Sequence, residues 1–192
     1  MQRASLRLVF AAFLSAVFLP ANADTNGSAE APFQQRLEWD GITFDIRTVS
    51  RDGKTVLQVQ PSGLSIDNSI LEQTIEGNVS GAEIADLNVD QSPEIYIYVL
   101  DHHQPPRMHL YAWSANHRKS MSMIYLPELS DDPALAQGYV GGDEMSVLEG
   151  VLGRRFVIHD NGQPTGKYRQ MQYKLKPGEA SWQLVLDRVT EF

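Results

Sequence analysis

The chain has 192 residues, with 16 basic and 24 acidic side chains, and it contains no cysteine. That length suits one domain of ordinary size, and the missing cysteine excludes a disulfide framework, a thiol nucleophile and a lipid-modified signal end. A formal net charge of −8 at pH 7 repels nucleic acid and anionic lipid, so neither is expected as a partner. Such a charge favours encounter with a basic partner, or simply keeps the protein in solution.

Residues 1–23 read as an export signal. Arg3 and Arg7 make a positive start, residues 8–19 are apolar or small, Pro20 ends the run, and Ala21-Asn22-Ala23 offers the small-x-small pattern of a cleavage site. The apolar run is too short for a transmembrane helix. A soluble, periplasmic protein beginning near Asp24 is expected, with no membrane contact in the mature form. Removal of residues 1–23 takes away Arg3 and Arg7 and no acid, which moves the net charge from −8 to −10. Residues 24–32 are small and polar and are expected to form a flexible leader.

From residue 33 the pattern is short β-like runs separated by turns. Residues 37–39 and 42–49 flank Asp40-Gly41, a two-residue hairpin signal, and Asp52-Gly53 turns the chain into the alternating run 56–60. Pro61-Ser62-Gly63 is expected to break that run. Residues 66–77 mix apolar and polar types without a clean period and predict a strand, or a strand with an irregular end. Residues 94–100, Glu-Ile-Tyr-Ile-Tyr-Val-Leu, are rich in β-branched and aromatic types, with residues 110–114 and 121–126 as partners. Asp131-Asp132-Pro133 opens a single helical turn over 134–137. Residues 145–148, 151–158, 169–175 and 181–189 complete the strands, with turns at Asp160-Asn161-Gly162 and Lys176-Pro177-Gly178. Many short strands and little helix predict an all-β fold, an antiparallel β-sandwich formed by one domain over residues 33–192.

No nucleophile elbow, zinc-protease helix, phosphate loop or dinucleotide fingerprint is present, so no catalytic residue and no cofactor are expected. Adjacent acids such as Asp131-Asp132 and Asp143-Glu144 read as solvated turn residues. Asp86, Asn88 and Asp90 offer oxygens at alternate positions with Glu94 at the ninth, as in a calcium loop. Gln91, however, occupies the sixth position, where glycine normally permits the sharp turn. The reading is therefore an Asx-stabilised turn that holds no metal. His102, His103 and His109 cluster in a loop stiffened by Pro105 and Pro106. That loop is a candidate zinc or copper site, a recognition loop, or a plain connection. Residues 138–144 read as a glycine-rich turn carrying a packed Tyr139. Arg154-Arg155 places one guanidinium on each strand face, one solvated and the other paired with an acid. Trp39, Trp113 and Trp182 read as core residues.

An ordered set of motifs carries a family resemblance. It begins with Asp86-Leu87-Asn88-x-Asp90-x-x-Pro93-Glu94-Ile95-Tyr96-x-Tyr98 and continues through Lys119-Ser120 and Ile124-Tyr125-Leu126-Pro127. Gly138-Tyr139-Val140-Gly141-x-Asp143-Glu144 and Val147-x-Glu149-Gly150-x-Leu152-x-Arg154-Arg155-Phe156 follow. Pro164-Thr165-Gly166, Arg169-Gln170-x-Gln172-Tyr173-Lys174-Leu175 and Gly178-Glu179-Ala180-x-Trp182 close it. In that order and spacing, over residues 86–189, the chain resembles the periplasmic inhibitors of invertebrate-type lysozyme, the PliI family. The resemblance implies a periplasmic all-β protein that inhibits a lysozyme by inserting a loop into the substrate cleft, and a homodimer is left open. In the family the loop after the Glu-Ile-Tyr-x-Tyr strand carries a Ser-Gly-x-Tyr element. Here it reads Asp101-His102-His103-Gln104-Pro105-Pro106-Arg107-Met108-His109, with Gln104, Pro105 and Arg107 in place of serine, glycine and tyrosine. The expected partner-binding residues are thus His102, His103, Gln104, Arg107 and His109, with Tyr139, Asp143 and Glu144 as a second loop. The alternative is a periplasmic binding or sensing module that takes metal through His102, His103 and His109.

Overall fold

Two-residue turns set the local pattern. Asp40-Gly41, Asp52-Gly53 and Asn161-Gly162 each place both residues at positive φ, between 45° and 80°. That is the backbone of a type I′ hairpin turn, whose twist matches that of the flanking strands. The computed structural model describes residues 32–192, one compact unit. The export-signal reading and the leader up to residue 31 lie outside the described residues.

The first sheet is a meander of β1 (Gln34–Trp39), β2 (Ile42–Arg51), β3 (Lys54–Ser62) and β4 (Leu71–Ile75), paired in that order. β3 runs on through Pro61, which pairs with Phe44, so the expected break at Pro61 does not occur. Pro61 lies beyond Val59, the last residue of β3 paired with β4, and its missing N–H costs no bond to that strand.

The second sheet has eight strands: β5 (Asn78–Ala85), β6 (Glu94–Leu100), β7 (Met108–Asn116), β8 (Ser120–Tyr125), β9 (Glu144–Leu148), β10 (Val151–Asp160), β11 (Gln163–Pro177) and β12 (Trp182–Glu191). Their spatial order is β5-β6-β7-β8-β12-β11-β10-β9. All neighbours are antiparallel except β8 and β12, which run parallel through Trp182↔Ile124 and Gln183↔Tyr125. A purely antiparallel arrangement is thus corrected at one short junction. Between β8 and β9 lies α1 (Pro133–Ala136), one turn whose Asp132 cap accepts the N–H groups of Ala134 and Leu135.

Two cores result. The first sheet packs on one face of β5, β6 and β7, burying Phe44, Ile46, Leu57 and Val59 against Ile95, Ile97, Val99 and Trp113. The second core fills the concave side of the eight-stranded sheet with Tyr96, Tyr98, Leu152, Phe156, Met171 and Leu184. The sheet curls enough to bring its two edge strands together. Glu83 on β5 accepts the N–H of Val147 on β9 at 2.7 Å and also the hydroxyl of Tyr98. The sandwich expectation is therefore refined. The first sheet stacks on the second, and the second is rolled toward a barrel. Trp113 is buried, while Trp39 and Trp182 are half-buried.

Glu83 is the test of that closure. Truncation in Glu83→Ala leaves an amide and a phenol without their acceptor, and should cost about 2–4 kcal/mol in urea unfolding. A loss under about 0.5 kcal/mol, the scatter of ordinary surface substitutions, would mean the strand edges are held together by packing alone.

Candidate functional site

The loop between β6 and β7 is built on one carboxylate. Asp101 Oδ1 accepts the backbone N–H of His103 at 3.0 Å and of Arg107 at 2.8 Å, and the Asp101 N–H donates to Arg107 O at 3.0 Å. On its other oxygen, Oδ2, Asp101 meets His103 Nδ1 at 2.6 Å and His109 Nε2 at 3.3 Å. Burial alone would raise the Asp101 pKa, but the Arg107 and His103 amides and the two imidazoles outweigh it and hold the carboxyl well below its ordinary value. The tip carries His102, His103, Gln104, Pro105 and Arg107 exposed, with a cis bond between Gln104 and Pro105. The Arg107 guanidinium makes no hydrogen bond or ion pair among the described residues. Beside the loop lies an open depression of about 550 Å³ lined by Glu76, Asp101, His103, His109 and Tyr111.

The second expected loop stands directly behind the first. Gly142 N–H donates to Pro106 O at 2.7 Å, and Asp143 Oδ1 accepts the Met108 N–H at 3.1 Å. Gly141 has a φ of +114°, and a Cβ there would stand 2.5 Å from the carbonyl oxygen of Pro105, so only glycine fits. Asp143 is 3% exposed. It accepts the Tyr139 hydroxyl at 2.7 Å and pairs with Arg154 at 2.7 Å. Tyr139 packs edge-on against Phe156 with ring centroids 4.9 Å apart, and Arg154 lies over its ring. Burial and the neighbouring Asp143 charge push the Tyr139 hydroxyl pKa up.

These placements correct two expectations. Asp143 is neither a solvated turn acid nor a partner contact, because its oxygens are consumed inside the protein. Tyr139 is packed, as the glycine-rich turn implied, and serves the same bracing rather than a partner contact. Glu144 is exposed but paired with Arg155 at 2.6 Å, so both arginines of the pair on β10 meet an acid rather than one. Sequence reading had no view of Glu83, because β5 itself is absent from the pattern. Nor does it expose Arg169, whose buried guanidinium bonds the carbonyls of Ala134, Leu135 and Gln137 and the carboxylate of Glu191.

At the opposite end of β6, the expected Asx turn forms. Asp86 accepts the N–H groups of Asp90 and Gln91, and Asn88 accepts that of Asp90. Gln91 adopts a φ of 66°, the left-handed conformation a glycine would supply, so its side chain does not prevent the turn. Val89 also sits at positive φ, a conformation worth about 1–3 kcal/mol of strain for a non-glycine residue. Glu94 is fully buried beneath, and burial, with the Asp86 and Asp90 charges, pushes its carboxyl up to about 8.

Comparison of the sequence with protein-family models and with curated proteins finds no match in either.

Asp101 and Asp143 are separable by experiment. In Asp101→Ala the amides of His103 and Arg107 should exchange with solvent about tenfold faster or more, with global stability little changed. Because the Asp101 pKa is depressed on folding, its contribution is complete above the ordinary carboxylate value of about 3.9. It is lost only as pH falls through the lower folded value. Asp143→Ala strands the buried Arg154 and should cost about 3–5 kcal/mol of global stability. Equal effects of the two variants in both measurements would contradict this division.

Proposed function

We propose that this protein is an exported, periplasmic inhibitor of a lysozyme, with an invertebrate-type lysozyme as target, and that it is not an enzyme. The observation that carries the reading is the projecting loop of residues 101–107. Its tip is exposed, its base is locked by Asp101, and its back is braced by Gly141, Gly142 and the buried Asp143–Arg154 pair. A loop held in one shape before binding loses little entropy when it enters a cleft. A lysozyme cleft presents two catalytic carboxyls, and Arg107 supplies the donor fork that suits a carboxylate. Gln104 adds a neutral amide, and His102 adds a further ring at the tip. The acidic surface would steer the protein toward a basic enzyme.

The second reading is a periplasmic binding or sensing module for metal. It draws on the convergence of His103 and His109 on one carboxylate, since a carboxylate bonded to one ring nitrogen orients the other toward a metal.

Titration of the purified protein into lysozymes of invertebrate, chicken and goose types decides between the two. Inhibition of the invertebrate type at micromolar protein is expected. Arg107→Ala should weaken it by about 2–5 kcal/mol if the guanidinium is buried against a carboxylate, and added salt should weaken its rim charges. Gly141→Ala should also weaken it, without altering any exposed side chain, by pushing the loop from behind. Absence of inhibition in all three lysozymes, with zinc raising the melting temperature in a His103-dependent way, would establish the second reading instead.

A further inference from the structure

We infer that the depression beside the projecting loop is a binding site for a basic side chain, Lys or Arg, of the protein that the loop engages. That this partner is a lysozyme rests on the inhibitor reading; the site itself does not. The depression has a volume of about 550 Å³. The loop contributes Asp101, His103 and His109 to its lining, the connection from β4 to β5 contributes Glu76, and β7 contributes Tyr111.

Glu76 is held beside the loop by its neighbour in the chain. Gly77 is buried at a φ of +133°, and a Cβ there would overlap the carbonyl oxygen of Leu100 and crowd the Cα of Asp101. Only glycine lets the turn approach the base of the loop so closely. Glu76 itself is exposed, and its carboxylate makes no hydrogen bond or ion pair among the described residues. The Tyr111 hydroxyl is likewise without a hydrogen-bond partner there. The depression therefore holds a free anion and a free phenol, both fixed by the backbone around them.

The polar groups gathered here suit a cation. None of the lining residues is Lys or Arg. Asp101 stays ionised well below neutral pH, so each neutral imidazole donates one N–H to it, His103 from Nδ1 and His109 from Nε2. That choice of tautomer leaves His103 Nε2 and His109 Nδ1 as acceptors. Glu76 and Asp101 then carry two negative charges, with no positive charge to oppose them while the rings are neutral. The face of the Tyr111 ring can attract a cation as well. Burial and the Glu76 and Glu128 charges push the Tyr111 hydroxyl pKa up, the response of a phenol in a negative field. Arg107, on the same loop, offers the opposite charge. An acidic recess beside a guanidinium makes a two-signed surface, which fixes the register of a partner and rejects one with the signs reversed.

Glu76→Gln and Glu76→Lys test the site, and because Glu76 is exposed and unpaired both variants should keep the native melting temperature. In a nuclear magnetic resonance titration with trilysine amide, saturable shifts are expected at Glu76, His103 and Tyr111 of the native chain, and their loss in Glu76→Lys. Against the invertebrate-type lysozyme, Glu76→Gln should weaken inhibition about three- to tenfold. Glu76→Lys should weaken it about 100-fold or more, since like charges then face each other. Glu179→Gln removes the same charge in the turn before Trp182, which bonds Asn116 at the far end of β7, and should change neither measurement. No saturable shift with trilysine amide, shifts that persist in Glu76→Lys, or undiminished inhibition by Glu76→Lys would each overturn the inference. Glu76-dependent binding of trilysine amide by a chain that inhibits no lysozyme would uphold the site and overturn the inhibitor reading.

Discussion

β6 is buried on both faces. Ile95, Ile97 and Val99 point to the first sheet, while Glu94, Tyr96 and Tyr98 point into the rolled second sheet. A strand without a solvent face belongs to two cores at once, so neither core can shift without moving the other. Seven residues of strand span roughly 23 Å. The Asp86–Glu94 turn and the loop of residues 101–107 hang from opposite ends of that span. Both inherit their rigidity from the same buried ladder, with β5 on one side and β7 on the other.

The projecting loop shows how buried charge can serve an exposed surface. Asp143 is too enclosed to touch a partner, yet it ties Met108, Tyr139 and Arg154 together under the loop. A buried ion pair adds little to stability compared with well-packed apolar residues. What it supplies here is direction, since a carboxylate with four donors around it has one orientation. The tip is then free to carry side chains chosen for contact alone.

Much of this was readable from residue types and much was not. β6 is legible because its run of β-branched and aromatic residues has no helical period, and the three type I′ turns are legible because Asp-Gly and Asn-Gly accept positive φ. β5 is hidden because a bulge between Val79 and Gly81 breaks its alternation. The parallel contact of β8 with β12 is a relation between distant residues that no local pattern encodes. Nor can sequence tell that Asp143 turns inward while its neighbour Glu144 turns outward, since both are acids after two glycines. Gln91 is the instructive case at the Asx turn. The absence of glycine argues against a tight bend on propensity, but a polar residue can occupy the left-handed region when surrounding bonds hold it there.

The parallel junction of β8 and β12 has a consequence for how the chain assembles. Every other neighbour in the second sheet is joined to the strand next to it in sequence. Residues 78–125 and 144–191 are therefore two meanders that can form from local contacts alone, and local contacts form quickly. Strand pairing then joins them through Trp182 with Ile124 and Gln183 with Tyr125, and the Glu83–Val147 bond closes the far edges. The long loop this closes is already shortened by the hairpins inside it, so the entropic cost of bringing its ends together is that of a much shorter chain. Such a topology lets the two halves meet as preformed ribbons, and it is their pairing that gives the rolled sheet an inside.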